Sequence, residues 1–174
     1  MNRMRLHRQL TRVLKFPAFW MGLWMAGMVA CTTIDCPVQN TVYTVYNLQK
    51  ADGTPDTLKD TMYVYTYRVD GKDTILYNAG IGKTTFTLPI GYSNPEDTLY
   101  FLLRNGTVLS LDTVWIKKEN YPHFESVDCN AVFFHDITAV RTTHNGLDSI
   151  TINKHNVDYD AKTEHFHIYF KAHD

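Results

Sequence analysis

Apolar and polar residues alternate over short stretches of the chain after residue 40, which is the pattern of β-strands with one buried face. The clearest case is residues 62–69, where Met62, Val64 and Thr66 fall on one side and Tyr63, Tyr65 and Tyr67 on the other. Further strands are predicted at residues 41–46, 74–77, 85–90, 98–103, 108–116, 131–134, 137–143, 149–152 and 165–170. No stretch after residue 40 keeps helical spacing, so helix content should be small.

Turn signals separate these strands. Asp70-Gly71 marks a tight turn, and Asn105-Gly106 and Asn145-Gly146 predict two-residue type I′ hairpins, since both residue types tolerate positive φ. Eight to ten short strands with turns between them predict an all-β chain, a single antiparallel β-sandwich of the Ig-like or Greek-key type. No low-complexity linker divides it, so we expect one domain.

The first thirty residues follow a different pattern. Residues 1–15 are basic, and residues 16–30 are apolar and carry no charge. A basic segment before a short apolar run that ends in small residues predicts a secretory signal peptide, helical in the precursor. The run is shorter than the roughly 20 residues of a membrane-spanning helix. Extending it to Ile34 reaches that length, so a simple N-terminal membrane anchor is an alternative.

The segment Met28-Val29-Ala30-Cys31 resembles a bacterial lipobox, in which the cysteine receives a lipid and the signal is cut before it. This resemblance implies a signal peptide at residues 1–30, a lipidated Cys31 with a short tether at residues 31–40, and the β-sandwich domain at residues 41–174. The alternative is that Cys31 is simply the last residue of a hydrophobic helix.

Cys36 and Cys129 are then the two remaining cysteines of an exported chain. Oxidising compartments form disulfides from such pairs, so a bridge is predicted; two buried free thiols are the alternative. Neither cysteine has a second ligand at zinc spacing. With the bridge formed, only a few residues would separate the lipid from the domain.

The distribution of charge indicates which classes of partner fit the chain. The chain holds 17 Lys plus Arg and 18 Asp plus Glu, but five of the basic residues lie before residue 30. The part after residue 30 therefore has 12 basic and 18 acidic residues, a net charge of −6, which argues against nucleic acid. That part also holds 20 Thr and 19 aromatic residues, which favours strands.

Several strand-like motifs carry a resemblance to a known family: Asp35-Cys36, Asp97-Thr98-Leu99-Tyr100-Phe101, Asp112-Thr113-Val114-Trp115-Ile116, Cys129 and His167-Ile168-Tyr169-Phe170. Over most of its exported part the chain resembles lipoproteins of Bacteroidota that carry a domain of unknown function. The resemblance implies an outer-membrane lipoprotein with a small β-domain and supplies no catalytic residues. Thr32-Thr33-Ile34-Asp35 lacks the acidic cluster of surface-export signals in that phylum, so the periplasmic side is expected.

Six tripeptides combine Asp, a hydroxyl residue and an apolar residue, with the hydroxyls at Thr57, Thr61, Thr74, Thr98, Thr113 and Ser149. Asp closing a turn before a strand explains them structurally. The pattern is also similar to the O-glycosylation sequon that Bacteroidota use on exported proteins. Thr57 and Thr61 are the first choices for a glycan, because their segment precedes its strand; strand pairing could bury Thr113 and Ser149.

Two further groups are candidate sites. Tyr63, Tyr65 and Tyr67 form a one-sided stripe that could stack on sugars, or pair across strands and fill the core. His165 and His167 are predicted on one face of a strand, and would bind a metal only if a third ligand, His135 or Asp136, came within reach. The alternative is the solvated face of an amphipathic strand, so no metal and no cofactor is predicted.

The sequence contains no serine elbow, His-Glu-x-x-His helix or paired cysteine nucleophile. We therefore expect a non-enzymatic, lipid-anchored binding or assembly accessory of the outer membrane, on its periplasmic side, with an envelope protein as partner. The alternatives are a carbohydrate-binding lipoprotein that uses the tyrosine stripe, and a metal-dependent hydrolase that uses His165 and His167.

Overall fold

The computed structural model describes Cys36, residues 41–68 and residues 70–171. The predicted signal peptide, Cys31 and the tether apart from Cys36 lie outside the described residues. The described part contains ten strands: β1 Tyr43–Leu48, β2 Thr61–Tyr67, β3 Asp73–Gly80, β4 Thr85–Pro89, β5 Glu96–Asn105, β6 Val108–His123, β7 Val132–Thr142, β8 Leu147–Ile152, β9 Asn156–Val157 and β10 Phe166–Phe170. No helix among these residues is long and apolar enough to span a membrane.

The strands form two sheets that pack as a sandwich, so the predicted fold class is confirmed. One sheet has the order β4-β1-β10-β8 and the other β3-β2-β5-β6-β7-β9. One pair differs from the antiparallel expectation, because β1 and β10 run parallel. They are the first and last strands of the described part, so no hairpin joins them and none imposes an antiparallel direction.

The core lies between the sheets and is formed by alternate residues of strands such as β2, β4, β5 and β6. Tyr46 on β1 is at its centre, with its ring stacked on Phe86 of β4 at 4.8 Å and on Phe166 of β10 at 4.9 Å. Burial raises the pKa of the Tyr46 phenol, since the core cannot solvate a phenolate. From the facing sheet, Met62, Val64 and Phe101 reach the core fully buried.

The Asn145-Gly146 signal predicted a hairpin, and this was wrong. The segment joins β7 of one sheet to β8 of the other, so it is a crossover between sheets. Gly146 is required for close packing, because a Cβ there would lie 2.7 Å from Ser110 Oγ and 2.8 Å from a Leu103 methyl group. The positive φ of this connection falls instead on His144, at 60°.

Two other details of the strand pattern needed correction. The β5–β6 hairpin exists, but its central residues are Gly106 and Thr107, with positive φ at Gly106 alone, the pattern of a type II′ turn. The strands predicted separately at residues 131–134 and 137–143 form one strand, β7, because both halves pair continuously with the long β6 except for one register shift at Lys117/Lys118.

The predicted disulfide between Cys36 and Cys129 is present, with the two Cα atoms 5.5 Å apart. Cys129 lies in the connection between β6 and β7, three residues before the start of β7. The bridge therefore attaches Cys36 to the end of the sandwich where β6 finishes.

Candidate binding face

The six-stranded sheet turns a row of large apolar side chains to its outer side. On β2 the tyrosines alternate with the fully buried Met62 and Val64, as the sequence predicted. Tyr63 pairs with Leu102 on β5, which pairs with Leu111 on β6. We call this surface the aromatic face, and define it as Tyr63, Tyr65, Tyr67, Tyr100, Leu102, Leu109, Leu111 and Trp115.

Much of the aromatic face is accessible. Tyr67 is 52% exposed, Leu109 62% and Leu111 42%. Beside Leu109, a groove of about 480 Å³ is lined by Tyr63, Leu102, Arg104, Gly106, Thr107 and Leu109. Contiguous exposed apolar surface of this kind is typical of an interaction site.

The tyrosines contact one another across the strands. Tyr65 stacks on Tyr100 with ring centroids 5.2 Å apart, and Tyr67 meets Tyr100 in an edge-to-face contact at 5.1 Å. Partial burial, with the neighbouring Tyr67 and Asp73, raises the pKa of Tyr65. The stripe therefore pairs across strands and lies outside the core, and its rings use part of their faces on each other.

Cations border the aromatic face. The Arg141 guanidinium lies 4.1 Å above the centre of the Trp115 ring and donates to Glu96 at 3.1 Å. Arg104 lines the groove, and Lys117 follows Trp115 at the next outward position of β6. These three cations lie near two acids, Glu96, which is paired with Arg141, and Asp73, which lies beside Tyr65.

The outer side of the four-stranded sheet has a different character. Most of its outward positions are polar, namely Asn47, Thr85, Thr87, Ser149, Thr151 and His167, and the aromatic exceptions are Tyr43 and Tyr169. This is the ordinary composition of a solvated sheet face. The contrast between the two outer sides singles out the aromatic face.

The two candidate histidines do not share a solvated face. His165 lies just before β10 and is fully buried. Its backbone N–H donates to Val45 O, and its Nδ1 accepts from Val45 N at 3.1 Å. Burial lowers the pKa of His165. His167 is partly exposed and contacts Glu164 Oε2 at 3.2 Å.

The proposed third ligands are engaged elsewhere or exposed. His135 is buried and donates to Asn120 Oδ1 at 2.6 Å, and Asp136 is exposed on β7. Within the described residues, no three His, Cys, Asp or Glu side chains lie together as a metal-binding group. The structure thus brings no third ligand to His165 and His167 in that part of the chain.

Of the six candidate glycosylation residues, Thr57 is exposed and the other five are partly buried. Thr57 lies at a hollow of about 520 Å³ that Lys59 and Lys171 also line. Thr61 begins β2 and pairs with Arg104, and Ser149 pairs with Tyr169. Of the two first choices for a glycan, Thr57 is therefore exposed and Thr61 is partly buried.

A buried ion pair was missed from the sequence. The Lys118 side chain is fully buried, with its Nζ 2.7 Å from Asp97 Oδ1 and 3.1 Å from Asn94 O. Asp97 Oδ2 also accepts from Gly91 N. The network holds the β4–β5 loop against β6. A signal existed, since Lys118 is in phase with the core residues Val114 and Ile116.

Asp112 was treated only as part of a repeated tripeptide, but it is fully buried. Its Oδ1 accepts from Thr143 Oγ1 and Asn145 N, and its Oδ2 from Gly146 N and Leu147 N, at 2.6 to 2.9 Å. These bonds fix the crossover between the sheets, so the role of Asp112 is structural.

Residues 61–170 match DUF6452, a family of unknown function. The match runs from the first residue of β2 to the last residue of β10. No curated protein and no solved structure matches the chain.

Proposed function

The chain belongs to the family of unknown function DUF6452, and from its geometry we propose that it is an exported, lipid-anchored binding protein of the cell envelope without catalytic activity. The aromatic face is its contact surface. The observation that carries this proposal is the contrast between the two outer sides of the sandwich, one mainly polar and the other apolar, aromatic and bordered by cations.

The anchor part of the proposal rests on the lipobox-like segment that ends at Cys31. We place the protein in the outer membrane of a Bacteroidota cell, on the periplasmic side, with an envelope protein as partner. Labelled fatty acid should enter the protein at Cys31, and Cys31→Ala should leave it unlabelled and uncut. A processed chain that starts at any other residue would contradict the lipoprotein assignment.

The contact surface can be tested by photo-crosslinking in cells. A photoreactive residue at Leu109, 62% exposed on the aromatic face, should capture a distinct envelope protein. The same residue at Thr87, exposed on the outer side of β4, is the matched control and should capture little. Leu109→Asp should abolish capture by a photoreactive residue at Tyr67, whereas Thr87→Asp should not. Equal capture from both sides, or none from Leu109, would contradict the proposal.

Carbohydrate capture is the second candidate, and the exposure of Tyr67 favours it. Sugar rings stack on free, flat aromatic faces, and Tyr65 and Tyr100 already use one face each on the other. Binding to a glycan array that is lost in Tyr67→Ala and kept in the control Tyr43→Ala, on the opposite sheet, would favour this candidate over a protein partner.

The hydrolase alternative has less support. His165 is buried against the backbone of β1, and the described residues bring it no ligand group. We propose no reaction for the chain.

A further inference from the structure

The two ends of the long strand β6 differ in what is attached to them. At one end the β5–β6 hairpin exposes Val108 and Leu109, by 67% and 62%. At the other end the β6–β7 connection holds Cys129, bonded to Cys36. The 16 residues of β6 separate the two ends by at most roughly 50 Å. The disulfide thus fixes the origin of the tether at the end remote from the hairpin.

The tether is short. Five residue steps lead from Cys31 to Cys36, and even a fully extended chain spans at most roughly 18 Å over that length. If Cys31 carries the lipid, as the proposed function states, the β6–β7 connection cannot move far from the membrane surface. The hairpin end has no such constraint.

The β6–β7 connection exposes apolar side chains beside this attachment point. Phe124 is 60% exposed and Val127 is 98% exposed, with Cys129 two residues further on. Tyr121, 39% exposed, and Tyr159, 42% exposed, both pack against Phe134 of the same end. Tyrosines with an apolar body and a polar tip are typical of the membrane–water interface.

The charge of the connection indicates which lipid it fits. Glu125 is paired with His123 at 3.2 Å, and Asp128 adds a second acid. Acidic side chains are repelled by anionic headgroups, so the complementary surface is a neutral, zwitterionic one.

We propose that the β6–β7 connection is a second membrane contact, with Phe124 and Val127 in the interfacial layer of the bilayer that holds the anchor. The domain then stands upright on that membrane. The hairpin points away from the bilayer, and the aromatic face, which runs along β6, looks sideways and stays free for the partner. This orientation rests on the proposed lipid anchor. It extends that proposal by assigning the β6–β7 connection to the lipid and leaving the aromatic face free.

The test uses tryptophan fluorescence of the processed protein in vesicles. Trp115 is the single tryptophan after residue 30, so Trp115→Phe gives a silent background. Val127→Trp places a reporter in the connection, and Leu109→Trp places a matched reporter at the hairpin; both sites are exposed, so neither change disturbs the core. Each protein is reconstituted into phosphatidylcholine–phosphatidylethanolamine vesicles, with or without bromine on the acyl chains.

Bromine should quench Val127→Trp and leave Leu109→Trp unchanged. Sedimentation of the same samples reports on the anchor separately. Protein that sediments with the vesicles but shows no quenching at Val127→Trp would overturn the orientation and leave the anchor intact. Quenching at Leu109→Trp would overturn it too, because the aromatic face would then lie on the lipid. Protein that does not sediment would refute the lipid anchor itself.

Discussion

Asp112 should be among the residues on which stability depends most. Asp112→Asn keeps the size of the side chain but removes its charge and leaves one oxygen. That oxygen can keep the bonds from Gly146 N and Leu147 N, and the Thr143 hydroxyl can turn to accept from the new NH₂, but the N–H of Asn145 then faces a donor. Hydrogen bonds to a charged group contribute roughly 1.5–3 kcal/mol each. Part of this loss is recovered by water, because Asn145 and Gly146 are near the surface. We expect a loss of about 3 kcal/mol in the free energy of unfolding.

Urea unfolding followed by Trp115 fluorescence measures this loss. With a denaturant slope of about 1–3 kcal/mol/M, the midpoint should fall by roughly 1–3 M while the slope stays unchanged. The matched control is Asp136→Asn, an exposed acid on the adjacent strand β7, whose effect should stay within about 0.5 kcal/mol. If Asp112→Asn unfolded at the same urea concentration as Asp136→Asn, the buried carboxylate would not be holding the crossover.

Three other predictions concern the disulfide, a histidine and the tripeptides. The Cys36–Cys129 bridge closes a loop of 93 residues, so its reduction should lower the free energy of unfolding by roughly 4–5 kcal/mol. A double variant, Cys36→Ser with Cys129→Ser, that is as stable as the wild type would contradict this. Burial, with Lys118 nearby, lowers the pKa of His135 to about 4, so the unfolded chain binds the proton first. The free energy of unfolding should therefore decrease as the pH is lowered from about 6.5 to 4, by up to roughly 3 kcal/mol. Urea midpoints measured across that range should decrease less steeply in His135→Gln than in the wild type. Intact mass of the protein from its native host should show a glycan that Thr57→Ala removes; a mass that leaves no room for one would count against it.

The strands and their buried faces could be predicted because they depend on local alternation. The stripe of Tyr63, Tyr65 and Tyr67 and the buried side of β2 follow directly from a period of two. The pairing of Cys36 with Cys129 was predicted without a fold, from the two cysteines that remain once the lipobox resemblance sets Cys31 aside. These predictions used information that lies within a few residues or in the composition.

The wrong predictions concern residues whose role depends on contacts that are distant in sequence. Asn145-Gly146 has the residues of a hairpin, but Gly146 is there because Ser110 and Leu103 pack against its Cα. His165 has the spacing of a solvated strand residue, but it lies just before the start of β10 and bonds to the backbone of β1. Neither partner is near in sequence, so no window of residues contains the information.

The six tripeptides of Asp, a hydroxyl residue and an apolar residue have different roles at different places in the fold. Where the Asp lies inside a strand and faces the interior, folding uses the carboxylate: Asp97 pairs with Lys118, and Asp112 holds the crossover. The next residue then points outward, so Thr98 and Thr113 lie on the side of the aromatic face, where Thr98 pairs with Trp115 and Thr113 with Tyr100.

A glycan on Thr98 or Thr113 would therefore cover the surface that we assign to the partner. Asp56 precedes its strand, accepts from the backbone N–H of Thr57, and leaves the Thr57 hydroxyl exposed. The binding face and glycosylation are thus compatible at Thr57 and compete at Thr98 and Thr113. A glycan mapped to either of the latter would argue against the aromatic face as a contact surface, whereas one at Thr57 would leave that proposal unchanged.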